Sequence, residues 1–177
     1  MFGSGERLGP RRGPKLPDDV RDALDLARGE RVLTFARDDN TGAQVVATTY
    51  RFVVATADTV VMQRDWYDVD AGQWDPDTWT LTVTWVDGRH AGQYTFRGQD
   101  TRLPETFHER VQASVVLASP LDLPGPRRSG RVVIRKDLRD GRLFEQTVLG
   151  RQTPADDPAV LARIDQLTAQ LRDQVGL

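Results

Sequence analysis

Residues 79–85 read Trp-Thr-Leu-Thr-Val-Thr-Trp and alternate large apolar side chains with threonine hydroxyls. A period of two residues places the apolar side chains on one face of a β-strand and the hydroxyls on the other. The cluster Asp75-Pro76-Asp77 precedes this segment and Asp87-Gly88 follows it, and both are typical of tight turns. The segment therefore predicts a half-buried strand inside an antiparallel meander.

The same alternation extends in both directions from this strand. Further strands are predicted at residues 32–36, 43–50, 52–55, 60–71 (one bent strand or two) and 93–97. A short helix is predicted at residues 18–28, and an amphipathic helix at Pro104–Ala118, where proline and Glu105 suit the first turn. These elements predict an α+β fold, a bent antiparallel sheet or partly open barrel of about seven strands capped by one helix.

The rest of the chain predicts additions to this main domain, which spans residues 18–118. Residues 1–17 are rich in Gly, Pro and Arg and predict a flexible N-terminal segment. Residues 119–130 predict a proline-rich linker. Residues 131–177 predict a β-hairpin around Asp140-Gly141, with Lys136 opposite Glu145, and a C-terminal amphipathic helix. This unit either docks on the main domain or binds a second copy, so a homodimer through the helix is one prediction.

Composition limits the classes of function. The chain of 177 residues is 38% hydrophobic and 28% charged, which is typical of a folded globular protein. It contains no cysteine, so disulfides, thiolate metal sites and cysteine nucleophiles are excluded, and a cytoplasmic location is expected. No apolar run suits a membrane span or a signal peptide. The formal net charge of −2 does not indicate nucleic acid as a partner.

The sequence carries no pattern typical of catalysis, a cofactor or a metal. Carboxylates are dense between Asp65 and Asp77, but the spacing of a calcium loop fails where Gly72 takes the third ligand position. His90 and His108 are the only histidines, and neither lies in a zinc or nucleophile motif. No catalytic residue, cofactor or metal site is therefore predicted.

Basic residues and tryptophans supply the candidate binding residues. Four arginines lie at the end of the proline-rich segment and in the strand predicted after it: Arg127, Arg128, Arg131 and Arg135. They either bind an acidic protein partner or an anionic lipid surface, or act as solvated strand edges that discourage aggregation. Trp66 and Trp74 flank acidic residues and are expected to be partly exposed, whereas Trp79 and Trp85 are expected in the core.

Four short segments within residues 29–118 carry a resemblance to a known family. They are Gly29–Leu33, Val45–Val54, Trp74-Asp75 and Leu103–Phe107, and they resemble the bacterial pleckstrin-homology-like modules, in particular the actinobacterial type. The resemblance implies a strongly bent sheet capped by a helix, and a role in binding rather than catalysis. Residues 37–40, Arg-Asp-Asp-Asn, depart from the basic loop of the phosphoinositide-binding members, so that ligand is not implied.

We therefore expect a non-catalytic adaptor that recognises a protein partner. Two alternatives remain at this point. One is a carrier of a small apolar ligand, in an interior left partly unfilled by Ala47, Thr48 and Ala55. The other is a module that docks on anionic membranes through the basic hairpin.

Overall fold

The computed structural model describes residues 14–177, so most of the segment expected to be flexible, residues 1–17, lies outside the described residues. The elements in chain order are α1 (Asp18–Ala23), β1 (Val32–Arg37), β2 (Gln44–Thr48), β3 (Arg51–Ala55), β4 (Val60–Asp65), a 3₁₀ turn (Trp66–Asp68), β5 (Val69–Asp75), β6 (Thr80–Trp85), β7 (Gly92–Thr95), α2 (Leu103–Ala113), β8 (Val115–Pro120), β9 (Gly130–Lys136), β10 (Leu143–Leu149) and α3 (Pro158–Val175). The predicted α+β class is confirmed.

The strands of residues 14–177 form three antiparallel sheets. Their strand orders are β1-β2-β3-β4, β5-β6-β7 and β10-β9-β8. The meander of seven strands between residues 32 and 95 thus falls into two hydrogen-bonded sheets, and within residues 14–177 no sheet closes into a barrel. The stretch at residues 60–71, predicted as one strand or two, is two strands joined by the 3₁₀ turn.

The first and second sheets share one core, and aromatic rings fill it. Phe52 of β3 is fully buried, and its ring centroid lies 5.5–6.1 Å from four others, those of Trp66, Trp85, Tyr94 and Phe107. Helix α2 contacts β1, β2 and β5 and adds Leu103 and Phe107 to this core. The helix therefore covers one side of the space between the two sheets.

The outer face of the first sheet is covered by the N-terminal helix. Leu16, Val20 and Leu24 pack on Val46 and Val53 of the sheet. The helix was predicted to reach Arg28, but it ends at Ala23. Asp25 adopts a left-handed φ of 42°, so the chain turns there while Leu24 is buried.

A buried ion pair fixes the loop between this helix and β1. The Glu30 carboxylate lies 2.8 Å from Nε of Arg51 and accepts a 2.6 Å hydrogen bond from the Thr48 hydroxyl. Burial alone would raise the pKa of Glu30, but the hydrogen bonds from Arg51 and Thr48 outweigh it and lower the pKa. The carbonyl of Thr48 in turn accepts a hydrogen bond from Nε1 of Trp66, which links the ion pair to the aromatic core.

The helix predicted at Pro104–Ala118 is shorter than expected, because α2 ends at Ala113 and the chain continues as β8. Val115 and Val116 are β-branched and suit a strand. Leu117 pairs with Ile134 of β9 and packs in the core of the third sheet. The segment predicted as a linker, residues 119–130, is partly strand, because β8 ends at Pro120 and β9 begins at Gly130.

The third sheet and α3 form a second core, which is aliphatic. Val132 and Ile134 of β9 pack on Val160, Leu167 and Leu171 of the helix. Asp157 caps the helix by accepting hydrogen bonds from the backbone of Ala159 and Val160, and Gly176 ends it in the left-handed region. Most of the apolar stripe of α3 is thus covered within the chain, whereas Leu161 is 45% exposed.

The C-terminal hairpin forms at the predicted place with a different register. Lys136 lies opposite Leu143, and Glu145 lies opposite Ile134 rather than Lys136. The predicted register requires a turn of only two residues, Asp140 and Gly141, and this turn is wrong. The last backbone pair before the turn is Asp137 with Arg142, and Asp137 O also accepts a 2.8 Å hydrogen bond from Gly141 N. The resulting turn spans Leu138 to Gly141.

Candidate partner-binding cleft

An open cleft of about 610 Å³ lies between the first two sheets, away from α2. Met62 and Arg64 of β4 form one wall, and Trp85 of β6 and Tyr94 of β7 form the other. The turn between β6 and β7 completes the lining with Gly88, Arg89, His90 and Gly92. Because α2 contacts β1, β2 and β5, whereas the cleft is lined by β4, β6 and β7, the two features occupy different sides of the same interior.

The ring of Tyr94 is part of the cleft wall opposite β4. Gly92 lies two residues away on the same strand, and a Cβ there would come within 2.6 Å of the Tyr94 hydroxyl. Glycine at this position therefore allows the ring to lie against the backbone. Burial, with a smaller contribution from the charge of Asp38, raises the pKa of Tyr94 to about 12. At neutral pH the phenol therefore keeps its proton and is available as a hydrogen-bond donor.

The rim of the cleft is basic. Nη2 of Arg64 lies 2.9 Å from Asp87 and its guanidinium lies 5.5 Å from the centroid of the Trp85 ring. Arg89, whose side chain is 77% exposed, shares the same carboxylate at 3.4 Å. The backbone hydrogen bond from Arg89, followed by the contacts with Arg64, lowers the pKa of Asp87, which is therefore ionised at neutral pH. Asp68 also interacts with Arg64 and Asp87, so Arg89 is the exposed cation of the rim.

The strand beside the cleft, β4, is an edge strand of the first sheet. Its outward-facing backbone groups have no hydrogen-bond partner among residues 14–177. The opposite edge strand, β1, is covered instead: Gln99 donates to and accepts from the backbone of Arg37, and Thr101 donates to Phe35 O. Val61 of β4 is 62% exposed, so the free edge also presents an apolar side chain.

Most of the arginines predicted from the sequence are engaged within the chain. Arg127 is exposed, at a left-handed φ of 63°. Arg128 pairs with Asp157 at 2.9 Å, and Arg131 pairs with Asp70. These ion pairs join the basic segment to α3 and to β5, and the positive charge is compensated locally.

Arg135 lies in the interior, 1% exposed. Its guanidinium donates to Ser114 Oγ, to Val69 O and to Gln146 Oε1 at 2.8–3.0 Å. Burial, together with repulsion from Arg131, lowers the pKa of Arg135 to about 10, and the residue stays charged at neutral pH. It fastens the third sheet to β5 of the second sheet and to the end of α2, and presents no surface to a partner.

The expected exposure of two tryptophans is reversed in the structure. Trp66 was expected to be partly exposed, but it is 1% exposed and lies in the aromatic core. Trp79 was expected in the core, but it is 41% exposed because its left-handed φ of 56° ends the alternating pattern at Thr80. Trp74 is half-buried and stacks on Phe96 at 6.3 Å, with an edge contact to Trp79.

The cleft itself was not predicted from the sequence. Its walls come from β4 and β7, which are distant in the chain, and only their packing brings Met62, Arg64 and Tyr94 together. The turn signal at Asp87-Gly88 marked one rim, and His90 was considered only as a candidate for a zinc or nucleophile motif. An edge strand that begins with Val60, Val61 and Met62 is the signal that points to this side of the fold.

The described part of the chain contains no cluster of three side chains suited to a metal ion. Among residues 14–177, helices that are both long and apolar enough to cross a membrane are also absent. Comparisons with family models, with curated proteins and with solved structures found no match to this chain.

Proposed function

We propose that residues 18–113 form a pleckstrin-homology-like module that binds a protein partner without catalysing a reaction, through the cleft between β4 and β7. The order of elements supports this proposal, because seven strands are followed by one helix, which is the order that the resemblance implies. A cytoplasmic location belongs to the same proposal, since the chain contains no cysteine.

The cleft is the observation that carries the proposal. It combines apolar and aromatic walls, formed by Met62, Trp85 and Tyr94, with a rim of arginines, and such sites are typical of binding surfaces. Aromatic and arginine side chains also dominate the binding energy of known protein interfaces. The unpaired edge of β4 adds backbone groups that a partner would satisfy.

The two alternative functions have less support. The carrier needs an unfilled interior, but Ala47, Thr48 and Ala55 are fully buried. The adjacent core contains five packed aromatic rings, that of Phe52 and the four around it. Membrane docking needs a free basic face, but Arg128, Arg131 and Arg139 each pair with an aspartate. We therefore advance neither alternative.

Site-specific photo-crosslinking tests the proposal. A benzophenone amino acid replaces Arg89 at the cleft rim in one variant and Arg127 in a matched control, because both arginines are exposed. In an extract of the source cells, the first variant is expected to form an adduct with one defined protein, and excess unlabelled wild type should suppress that adduct. An adduct formed only from position 127, or none from either position, would contradict the proposal.

A further inference from the structure

We propose that the ligand of this cleft is an extended acidic segment of the partner, which adds to β4 as a fifth strand of the first sheet. This inference rests on the proposed function and goes further, because it specifies the conformation and the charge of the bound segment. Its basis is the combination of a free strand edge, an adjacent cleft and a basic rim.

The backbone of β4 provides the first part of the argument. An edge strand presents a row of unpaired N–H and C=O groups, which is a template for another strand unless it is blocked. Proline, lysine, a bulge and an inward-pointing charge are usual blocks. The strand β4 contains no proline or lysine, but it has a bulge at Val61 and an inward-pointing charge at Arg64. A bulge at Val61 interrupts its pairing with β3, so the regular part available to a ligand is Met62–Asp65.

The direction of the side chains provides the second part. Met62 and Arg64 lie two residues apart on β4, so both point to the same face, and both line the cleft. A strand added beside them would direct every second side chain into the cleft, toward Trp85 and Tyr94. The alternate side chains would lie on the face of Val61 and Gln63.

The charge of the rim provides the third part. Arg64 lies 2.9 Å from Asp87 and also interacts with the charge of Asp68. Arg89 is 77% exposed and lies 3.4 Å from Asp87, so Arg89 is the exposed cation of the rim. An aspartate or glutamate of the ligand would neutralise it and accept charge-assisted hydrogen bonds. The ligand chemistry that fits is therefore an extended peptide in which apolar and acidic residues alternate.

The experiment uses the full chain and a display library of random dodecapeptides as the probe. Peptides selected on the wild type are expected to be enriched in Asp and Glu, and their affinity is measured by calorimetry. Arg89→Glu should weaken binding about fivefold to tenfold, because a rim charge is reversed. Arg97→Glu is the matched control, since Arg97 is exposed on the far end of the β7 hairpin, and it should leave the affinity within about twofold.

Backbone methylation of the selected peptide tests strand addition directly. Methyl groups on every second peptide nitrogen remove the donors that face β4 in one register and only solvent-facing donors in the other. One methylated register should lose at least about tenfold in affinity, and the other should bind within about twofold of the parent.

The outcomes separate the two levels of the proposal. Binding that depends on Arg89 but tolerates methylation in both registers overturns strand addition and leaves the cleft as the binding site. Selected peptides without acidic enrichment overturn the charge assignment. Peptides that bind Arg89→Glu and Arg97→Glu equally well, or a selection that yields no peptide, overturn the cleft as a site for an extended partner segment.

Discussion

Two glycines flank Val83 in the second sheet, and they lie on opposite sides of the interior. One side is covered by a helix and the other is open. Gly72 of β5 and Gly92 of β7 are both paired with Val83, so all three share the face that points into the interior. Each glycine also lies under an aromatic ring, Phe107 over Gly72 and Tyr94 over Gly92. On the first side α2 supplies the ring and covers the interior, whereas on the second side the ring comes from the same strand and a cleft remains.

The same arrangement, a glycine under an aromatic ring, therefore has a different effect on each side. A glycine under a ring allows close packing on the covered side, which contributes to stability. On the open side the same close approach sets the depth of the cleft. Substitutions on the covered side should therefore change the free energy of unfolding, and substitutions on the open side should change binding.

The largest effect is expected for Phe107→Ala on the covered side. Phe107 is 3% exposed and its ring contacts those of Phe52 and Trp66. Its truncation should lower the free energy of unfolding by about 3–5 kcal/mol, because it removes a buried ring and leaves a cavity. Urea denaturation measures the change, and a loss below about 1 kcal/mol would mean that α2 does not anchor the core.

The next effect is expected for Glu30→Gln, in the buried pair that supports the same core. At neutral pH the variant should lose about 2–3 kcal/mol, because Arg51 loses a charged hydrogen-bond partner. The folded-state pKa of Glu30 is lowered from 4.5, so its contribution is fully present above that value and is lost as pH falls through the folded pKa. Denaturation of both proteins between neutral and acidic pH should therefore show the difference narrowing below about pH 4.5. A difference that is independent of pH would contradict the ionised pair.

A smaller loss of stability is expected for Gly72→Ala. An alanine Cβ at this position would overlap the edge of the Phe107 ring, which the helix holds in place. The variant should lose about 1–2 kcal/mol, since the ring or the helix has to shift to relieve the overlap. Thermal unfolding measures this loss. Gly88→Ala is not a suitable control, because Gly88 has a φ of 70° and a side chain there would add backbone strain.

The smallest effect on stability is expected for Gly92→Ala, the matched substitution on the open side. The overlap here is with the hydroxyl and ring of Tyr94, which border open volume and move aside at low cost. The free energy of unfolding should change by less than about 0.5 kcal/mol. Binding of the selected acidic peptides should nevertheless weaken, because Tyr94 moves into the cleft. Equal destabilisation by the two alanine substitutions would refute the difference between the sides.

The local pattern of the sequence predicted the strands well and the surroundings of single residues less well. The alternation at residues 79–85 predicted β6, and the class of fold followed from repeating that pattern along the chain. The pattern does not distinguish a strand from a helix at residues 115–118, because four apolar residues are consecutive there. Pairing with β9 makes this segment a strand. Long-range contacts of this kind are not encoded in local periodicity.

The candidate site was less predictable for a related reason. Arg135 was predicted to be a partner-binding residue. Its guanidinium is instead buried and donates hydrogen bonds to three polar groups from other segments. A charged residue is expected to be exposed unless the fold places buried hydrogen-bond acceptors around it, and the sequence does not reveal such acceptors. The cleft likewise depends on the distance between β4 and β7, which no single segment determines.

The central claim is that the open side of the interior is the binding surface. Its most direct test is a titration of the isotopically labelled full chain with a display-selected acidic peptide, followed through the backbone amide resonances. We expect shifts at Met62–Asp65 and along Gly88–Tyr94, with the resonances of α2 and α3 unchanged. Shifts confined to α2 or to the segment around Arg127 would contradict it and move the binding surface to the covered side or to the basic segment.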